Sequence, residues 1–314
     1  MNKIKSFFSL IRWTNLLMIA IMMFLVYYCV MSPLSFYFST VLPPSYSFLF
    51  LVLSLLFIVA AGYVINDYFD IETDKLNKPD KLLITKVFSE KESMICYGIL
   101  TFLGLLLGLL SSVIILNDRF YILFAVLVLL SCLLYSYSSV YKKKLLVGNL
   151  IVSFSVAIAV FLPYLFEILY LSENLLLLST CKEIVVNIIY FVLIYTIFAF
   201  LLTLIREIIK DAEDVDGDGR THCRTLAVVY GINVTKTILY VLVMLLILLL
   251  LAYIVILVEL QLFMTLAFIS SVILFSILLI VKIYKAKESK DFHKLSVMTK
   301  VMMLIGLLSM LFLK

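Results

Sequence analysis

Nine stretches of about twenty apolar residues run through the chain, and an α-helix of that length crosses the roughly 30 Å hydrocarbon core of a bilayer. They lie at 13–31, 46–66, 94–116, 120–140, 145–166, 184–206, 234–257, 260–282 and 297–313. A bilayer core offers no water to backbone N–H and C=O groups, so each run is expected as a helix that satisfies its own hydrogen bonds. The fold class that follows is all-α, a polytopic membrane protein. Composition agrees: 65% of the 314 residues are hydrophobic, 14% are charged, and mean hydropathy is +1.19, outside the range of soluble domains. No Ser/Gly/Pro linker or low-complexity tail divides the chain, which reads as a single domain over residues 1–314. The first run follows Lys3, Lys5 and Arg12 but is longer than a signal-peptide core, and it is read as a retained span.

The basic residues orient these spans. With a cytoplasmic N-terminus, every Lys and Arg except Arg119, Lys182 and Lys314 falls on the cytoplasmic side, out of 25 in all. The net charge of +5 therefore reads as a topology signal, and nucleic acid is not an expected partner. Five cysteines are scattered through apolar runs and suggest neither disulfides nor a metal site. His222 and His293 stand alone in polar segments and are expected as surface residues.

Against this background two acidic stretches stand out. Asn66-Asp67-Tyr68-Phe69-Asp70-Ile71-Glu72-Thr73-Asp74 closes the second span, and Lys210-Asp211-Ala212-Glu213-Asp214-Val215-Asp216-Gly217-Asp218 closes the sixth. Asp67, Asp70 and Asp74 are spaced i, i+3, i+7, as are Asp211, Asp214 and Asp218. On a continuous helix such residues share one narrow face, where like charges repel unless a cation lies among them. Corresponding residues are offset by 144 positions, a hint of internal duplication in parallel orientation. Carboxylates are hard oxygen ligands suited to Mg2+, which characteristically takes one or two of them together with phosphate oxygens. Two such faces at the cytoplasmic membrane edge are expected to hold a diphosphate through bridging Mg2+ ions. The following segments, 75–93 and 219–233, are candidate cytoplasmic cap loops. An EF-hand reading of Asp214–Gly219 fails, because the twelfth loop position is Thr225 where a bidentate Glu belongs.

Cations for the same anion are at hand in Arg206 and Lys210, just before Asp214, and in Lys142-Lys143-Lys144 after Tyr135 and Tyr137. Arg12 and Asn15 are polar residues at the edge of the first span, and Asn15 is a candidate for acceptor binding. Nucleotide loops, Ser/His/Asp orders and Cys-x-x-Cys pairs are missing from the sequence, so ATP-driven transport, nucleophilic hydrolysis and redox chemistry lack support. A cation-coupled transporter would place its carboxylates nearer mid-bilayer. A lipid-phosphate phosphatase would also use metal and phosphate.

Taken together, Asn66-Asp67-x-x-Asp70-x-x-x-Asp74 with Lys75-x-Asn77-Lys78-Pro79-Asp80, and Lys210-Asp211-x-x-Asp214-x-x-Gly217-Asp218, resemble the two signature motifs of the UbiA superfamily of intramembrane prenyltransferases. The likeness extends to Arg12 and Asn15, to Tyr137, Lys142, Lys143, Gly148 and Asn149, and to Cys223-Arg224-Thr225-Leu226. It implies about nine transmembrane helices around a central cavity, a prenyl diphosphate donor and a lipophilic acceptor. It also implies Mg2+ held by Asn66, Asp70, Asp74, Asp214 and Asp218, with Asp67 and Asp211 nearby. Arg206-Glu207-x-x-Lys210-Asp211-x-x-Asp214-x-x-Gly217-Asp218 most resembles the digeranylgeranylglyceryl phosphate synthase branch, which prenylates a glycerol-phosphate lipid. Aromatic-acceptor branches share parts of that pattern.

Overall fold

A computed structural model of the chain describes residues 3–31, 44–77, 82–116, 119–221 and 223–313. Among them nine helices are long and apolar enough to cross a membrane, and each overlaps one of the apolar runs read from the sequence. In chain order the helices are α1 (Lys3–Leu10), α2 (Trp13–Leu25), which ends in a π-helical turn at Val26–Val30, α3 (Ser45–Phe69), α4 (Ile71–Asn77), α5 (Glu90–Ile115), α6 (Tyr121–Ser139), α7 (Val147–Leu171), α8 (Leu175–Thr180), α9 (Lys182–Glu213), α10 (Val215–Arg220), α11 (Leu226–Glu259), α12 (Phe263–Lys285) and α13 (Ser289–Ser309). The chain divides into two compact units. One comprises Met1–Tyr141 and Ile158–Val192, and the other Lys142–Ala157 and Leu193–Lys314.

In the first unit α3 packs against α2, α5 and α6. Helices in lipid gain little from burying apolar surface against one another, so close approach through small residues has to supply the attraction. Gly104 and Gly108, one turn apart on α5, meet that need against α3. A Cβ on Gly104 would lie 2.8 Å from Ile58 Cγ1 and 3.1 Å from the Ser54 carbonyl oxygen, and one on Gly108 would lie 2.7 Å from Ser54 Oγ and collide with Leu127 of α6. The closeness is used for hydrogen bonding: Ser54 Oγ donates to the Gly104 carbonyl at 2.7 Å, and Ser111 Oγ to the Ser47 carbonyl at 2.8 Å. At the far end of this unit Tyr27 stacks on Phe48, with ring centroids 3.8 Å apart.

The second unit is built around α12, which packs on both α11 and α13. Tyr195 of α9 joins Ser309 of α13 through their hydroxyls at 2.8 Å, and Lys236 of α11 caps the end of α12 by donating to the Ala286 carbonyl at 2.5 Å. The segment 219–233, expected as a loop, is mostly helical. α10 runs to Arg220, α11 begins at Leu226, and α11 kinks at Gly231. Gly231 has φ +80°, a conformation costly for other residues.

Gly104→Leu and Gly108→Leu force side chains into occupied space, a cost of about 1–3 kcal/mol each. Both variants are expected to lower the thermal unfolding midpoint in detergent. Gly98→Leu on the same helix, where a Cβ meets nothing within 4 Å, is expected to leave it unchanged.

Candidate active site

The first acidic motif sits where α3 reaches the membrane edge. The helix breaks at one residue, Asp70, whose φ of −91° and ψ of 0° lie in the bridge region, and α4 resumes at Ile71. The i→i−4 bonding nevertheless persists across the break, from Asp70 N–H to the Asn66 carbonyl at 3.0 Å and from Asp74 N–H to the Asp70 carbonyl at 2.7 Å. Asn66 Nδ2 donates to Asp70 Oδ2 at 2.8 Å, which fixes a buried carboxylate. The carboxamide oxygen of Asn66 and its amide group serve opposite electrostatic needs, so this donor orients Asp70 while adding an oxygen to the same neighbourhood.

Asp67 is held differently. Arg12 Nη2 lies 2.7 Å from Asp67 Oδ1, and the guanidinium carbon lies 4.7 Å from the centre of the Tyr63 ring. Asn15 Nδ2 donates to Tyr63 Oη at 3.2 Å, so the four residues form one chain of contacts. Arg12 reaches this position because it occupies the left-handed region, with φ 51° and ψ 54°, at the break between α1 and α2. That conformation costs a non-glycine residue about 1 kcal/mol. Burial works against the guanidinium charge, but Asp67, then Tyr63 and Tyr137, outweigh it and raise Arg12 above its ordinary pKa.

The second motif repeats the break. α9 stops at Glu213, Asp214 has φ −97° and ψ 11°, and α10 starts at Val215. Asp214 N–H donates to the Lys210 carbonyl at 2.9 Å, and Asp218 N–H to the Asp214 carbonyl at 3.0 Å. The backbone thus treats Asp70 and Asp214 alike, 144 residues apart. The side-chain partners differ. Asp211, the counterpart of Asp67, accepts from Asn149 Nδ2 of α7 at 2.8 Å, so a neutral amide stands where the first motif has a guanidinium. A second stitch joins the same segment to the far side of the motif: Arg224 N–H donates to the Lys143 carbonyl at 3.0 Å. Lys142 and Lys143 therefore sit in the segment that brackets the second motif, whereas Tyr137 belongs to the first unit.

One turn before Asp211 on the same helix face, Glu207 is buried and accepts from Arg206 Nη1 at 2.8 Å and from Lys210 Nζ at 3.0 Å. His293 is exposed, yet its Nδ1 lies 2.9 Å from Glu213 Oε1, the residue next to Asp214. Sequence reading singled out neither the Asn149 contact nor that of His293, because both join residues far apart in the chain. The Glu207–Lys210 pair had a local signal in its i, i+3 spacing. Lys78, Pro79, Asp80 and His222 lie outside the described residues.

The donors in both motifs are carboxylate and carboxamide oxygens, the ligand chemistry Mg2+ prefers. Among the described residues no three His, Cys, Asp or Glu side chains are gathered into a ready cation site.

The profile of the UbiA prenyltransferase family matches residues 25–303. The chain belongs to the UbiA prenyltransferase family. As a UbiA protein it is an integral membrane protein. It is 32% identical over 244 residues to the digeranylgeranylglyceryl phosphate synthase of Sulfurisphaera tokodaii, covering 76% of each chain. With the enzyme of the same name from Saccharolobus solfataricus it shares 35% identity over 176 residues, 56% of this chain and 54% of that one, so this match spans about half of the relative. A solved digeranylgeranylglyceryl phosphate synthase superposes with a TM-score of 0.66 at 25% identity, covering 99% of this chain and 98% of the other. A UbiA homologue from Archaeoglobus fulgidus, solved with DMAPP and Mg2+, shares the fold with a TM-score of 0.55 at 15% identity, covering 97% and 99%.

The Asn149–Asp211 contact makes a stability prediction for this UbiA protein. Asn149→Asp sets two carboxylates against each other, and Asn149→Leu leaves a half-buried carboxylate oxygen without its donor, a loss of about 1 kcal/mol. Both should melt earlier than the parent in detergent. The reciprocal pair Asn149→Asp with Asp211→Asn restores one donor and one acceptor, and is expected to recover most of the loss of Asn149→Asp.

Proposed function

We propose that this protein transfers a prenyl group from a prenyl diphosphate to a lipophilic acceptor within the membrane in a Mg2+-dependent reaction, the favoured case being geranylgeranyl transfer onto geranylgeranylglyceryl phosphate. The observation that carries this reading is the matched pair of helix breaks. Asp70 and Asp214 end membrane helices in the same backbone conformation, each with a further carboxylate, Asp74 or Asp218, one turn on. Similarity to the glycerol-phosphate lipid synthases supports the acceptor class.

Asn66, Asp70, Asp74, Asp214 and Asp218 would hold the Mg2+. Asp67 and Asp211, engaged by Arg12 and Asn149, would support them. Bound Mg2+ supplies charge neutralisation for the leaving diphosphate. The chain's own residues do the rest. Tyr137, Lys142 and Lys143, with Arg12 and Asn15, bind and orient the substrates, and apolar side chains keep water from the reacting carbon. The C1–O bond of the donor breaks with its electron pair going to the diphosphate. The acceptor hydroxyl oxygen then bonds to C1 and its proton is released.

The 314 residues act as one prenyltransferase domain, with the N-terminus and both motifs facing the cytoplasm. The distribution of Lys and Arg supports that orientation. In a background without native cysteines, Lys86→Cys is expected to react with an impermeant maleimide only in inverted vesicles, and Glu173→Cys only in right-side-out vesicles. The reverse pattern would overturn the orientation.

Purified protein supplied with labelled geranylgeranyl diphosphate and geranylgeranylglyceryl phosphate should form the doubly prenylated lipid with Mg2+ and none with EDTA. Asp70→Ala and Asp214→Ala should each lower turnover about 100- to 1,000-fold. Full activity in EDTA would sink the mechanism. Turnover of an aromatic acid in place of the glycerol lipid would overturn the acceptor and leave the reaction class standing.

A further inference from the structure

We infer that Arg206 and Lys210, tied together by Glu207, form the subsite for the phosphomonoester of the acceptor, distinct from the acidic face that serves the donor diphosphate. The inference rests on the glycerol-phosphate reading of the acceptor. α9 carries two neighbouring stripes. Glu207 and Asp211 stand at i and i+4, with Asp214 at i+7 where the helix breaks, and Arg206 and Lys210 stand at i and i+4 on the adjoining stripe. The acidic stripe suits a metal-held diphosphate. The basic stripe suits an anion bound directly.

Glu207 makes the two cations a unit. Its carboxylate accepts from Arg206 Nη1 at 2.8 Å and from Lys210 Nζ at 3.0 Å to each oxygen. Both side chains are thereby aligned along the helix with one negative charge shared between them. The Nε–H of Arg206 is fully buried and has no acceptor among the described residues. A buried N–H of a guanidinium is expensive to leave unbonded. A phosphate oxygen is the acceptor its planar fork matches best, and a phosphate is large enough to reach the Lys210 ammonium as well.

The chemistry of the proposed reaction asks for this arrangement. The attacking hydroxyl and the phosphate of a glycerol phosphate sit on one three-carbon unit, and C1 of the donor is one oxygen away from its diphosphate. When hydroxyl and C1 meet at roughly 3 Å, the two phosphate groups lie a few bond lengths apart. Residues three or four apart on a helix have Cβ atoms about 5–6 Å apart, so Lys210, four before Asp214, sets the acceptor phosphate beside the donor diphosphate without merging the two sites.

The test is a preference ratio. kcat/KM is measured with labelled geranylgeranyl diphosphate for two acceptors, geranylgeranylglyceryl phosphate and the same lipid without its phosphate. Arg206→Gln is expected to cut the preference for the phosphorylated acceptor about 10- to 100-fold, with Arg206→Lys intermediate because it keeps the charge and loses the fork. Lys210→Gln, at a partly exposed position that the fold tolerates more readily, should move the ratio in the same direction by a smaller factor. A ratio unchanged in folded Arg206→Gln and Lys210→Gln, both acceptors being slowed alike, would overturn the subsite while leaving the prenyl transfer intact. Parent protein that prenylates neither glycerol lipid would overturn the acceptor reading itself.

Discussion

A carboxylate at the foot of a membrane helix has to find compensation, and much of the local structure in this protein is arranged around that requirement. Charge leaving water costs several kcal/mol per ion unless partners restore what the solvent supplied. Asp67 is compensated by a guanidinium that sits on a tyrosine ring. Asp211 receives a carboxamide, that of Asn149. The first solution gives charge neutrality at the expense of a left-handed Arg12 and a break between α1 and α2. The second brings an uncharged amide from α7 and supplies no counter-charge. An acidic face of that kind remains attractive to divalent cations, whereas full neutralisation would weaken it.

The two motifs agree in backbone and differ in side-chain surroundings. In both, the middle aspartate ends a long helix in the bridge region and a short helix follows. An aspartate is suited to such a place because its short carboxylate competes with the helix for nearby N–H groups. The 144-residue offset and the shared break are what the two motifs have in common. Arg12 against Asn149, and the Glu207 cluster beside the second motif, are where they differ.

The membrane spans were legible in the sequence because bilayer thickness imposes a length on every apolar run. Helix ends were less so: α9 continues to Glu213, since polar residues extend a helix into water at little cost, and α11 starts at Leu226, ahead of its kink at Gly231. The acidic motifs stood out by their spacing, which was read on continuous helices; the breaks at Asp70 and Asp214 were not foreseen, because φ and ψ there depend on how each helix end is solvated and bonded. Nor could spacing foresee Asn149 on Asp211, 62 residues apart, or His293 on Glu213, 80 apart. Such pairs are fixed by packing. Arg12 looked like a membrane-edge anchor, and the turn that brings it to Asp67 has no glycine or proline to announce it.

The central proposal is that the donor diphosphate is bound through Mg2+ and that each acidic motif is needed for it. It is tested most directly at equilibrium, by titrating an unreactive geranylgeranyl diphosphate analogue into purified protein at fixed Mg2+ and in EDTA. The account predicts Mg2+-dependent binding that is lost on disabling either motif alone, through Asp70→Asn with Asp74→Asn or through Asp214→Asn with Asp218→Asn. Undiminished affinity in either double variant, or binding that persists in EDTA, would contradict it.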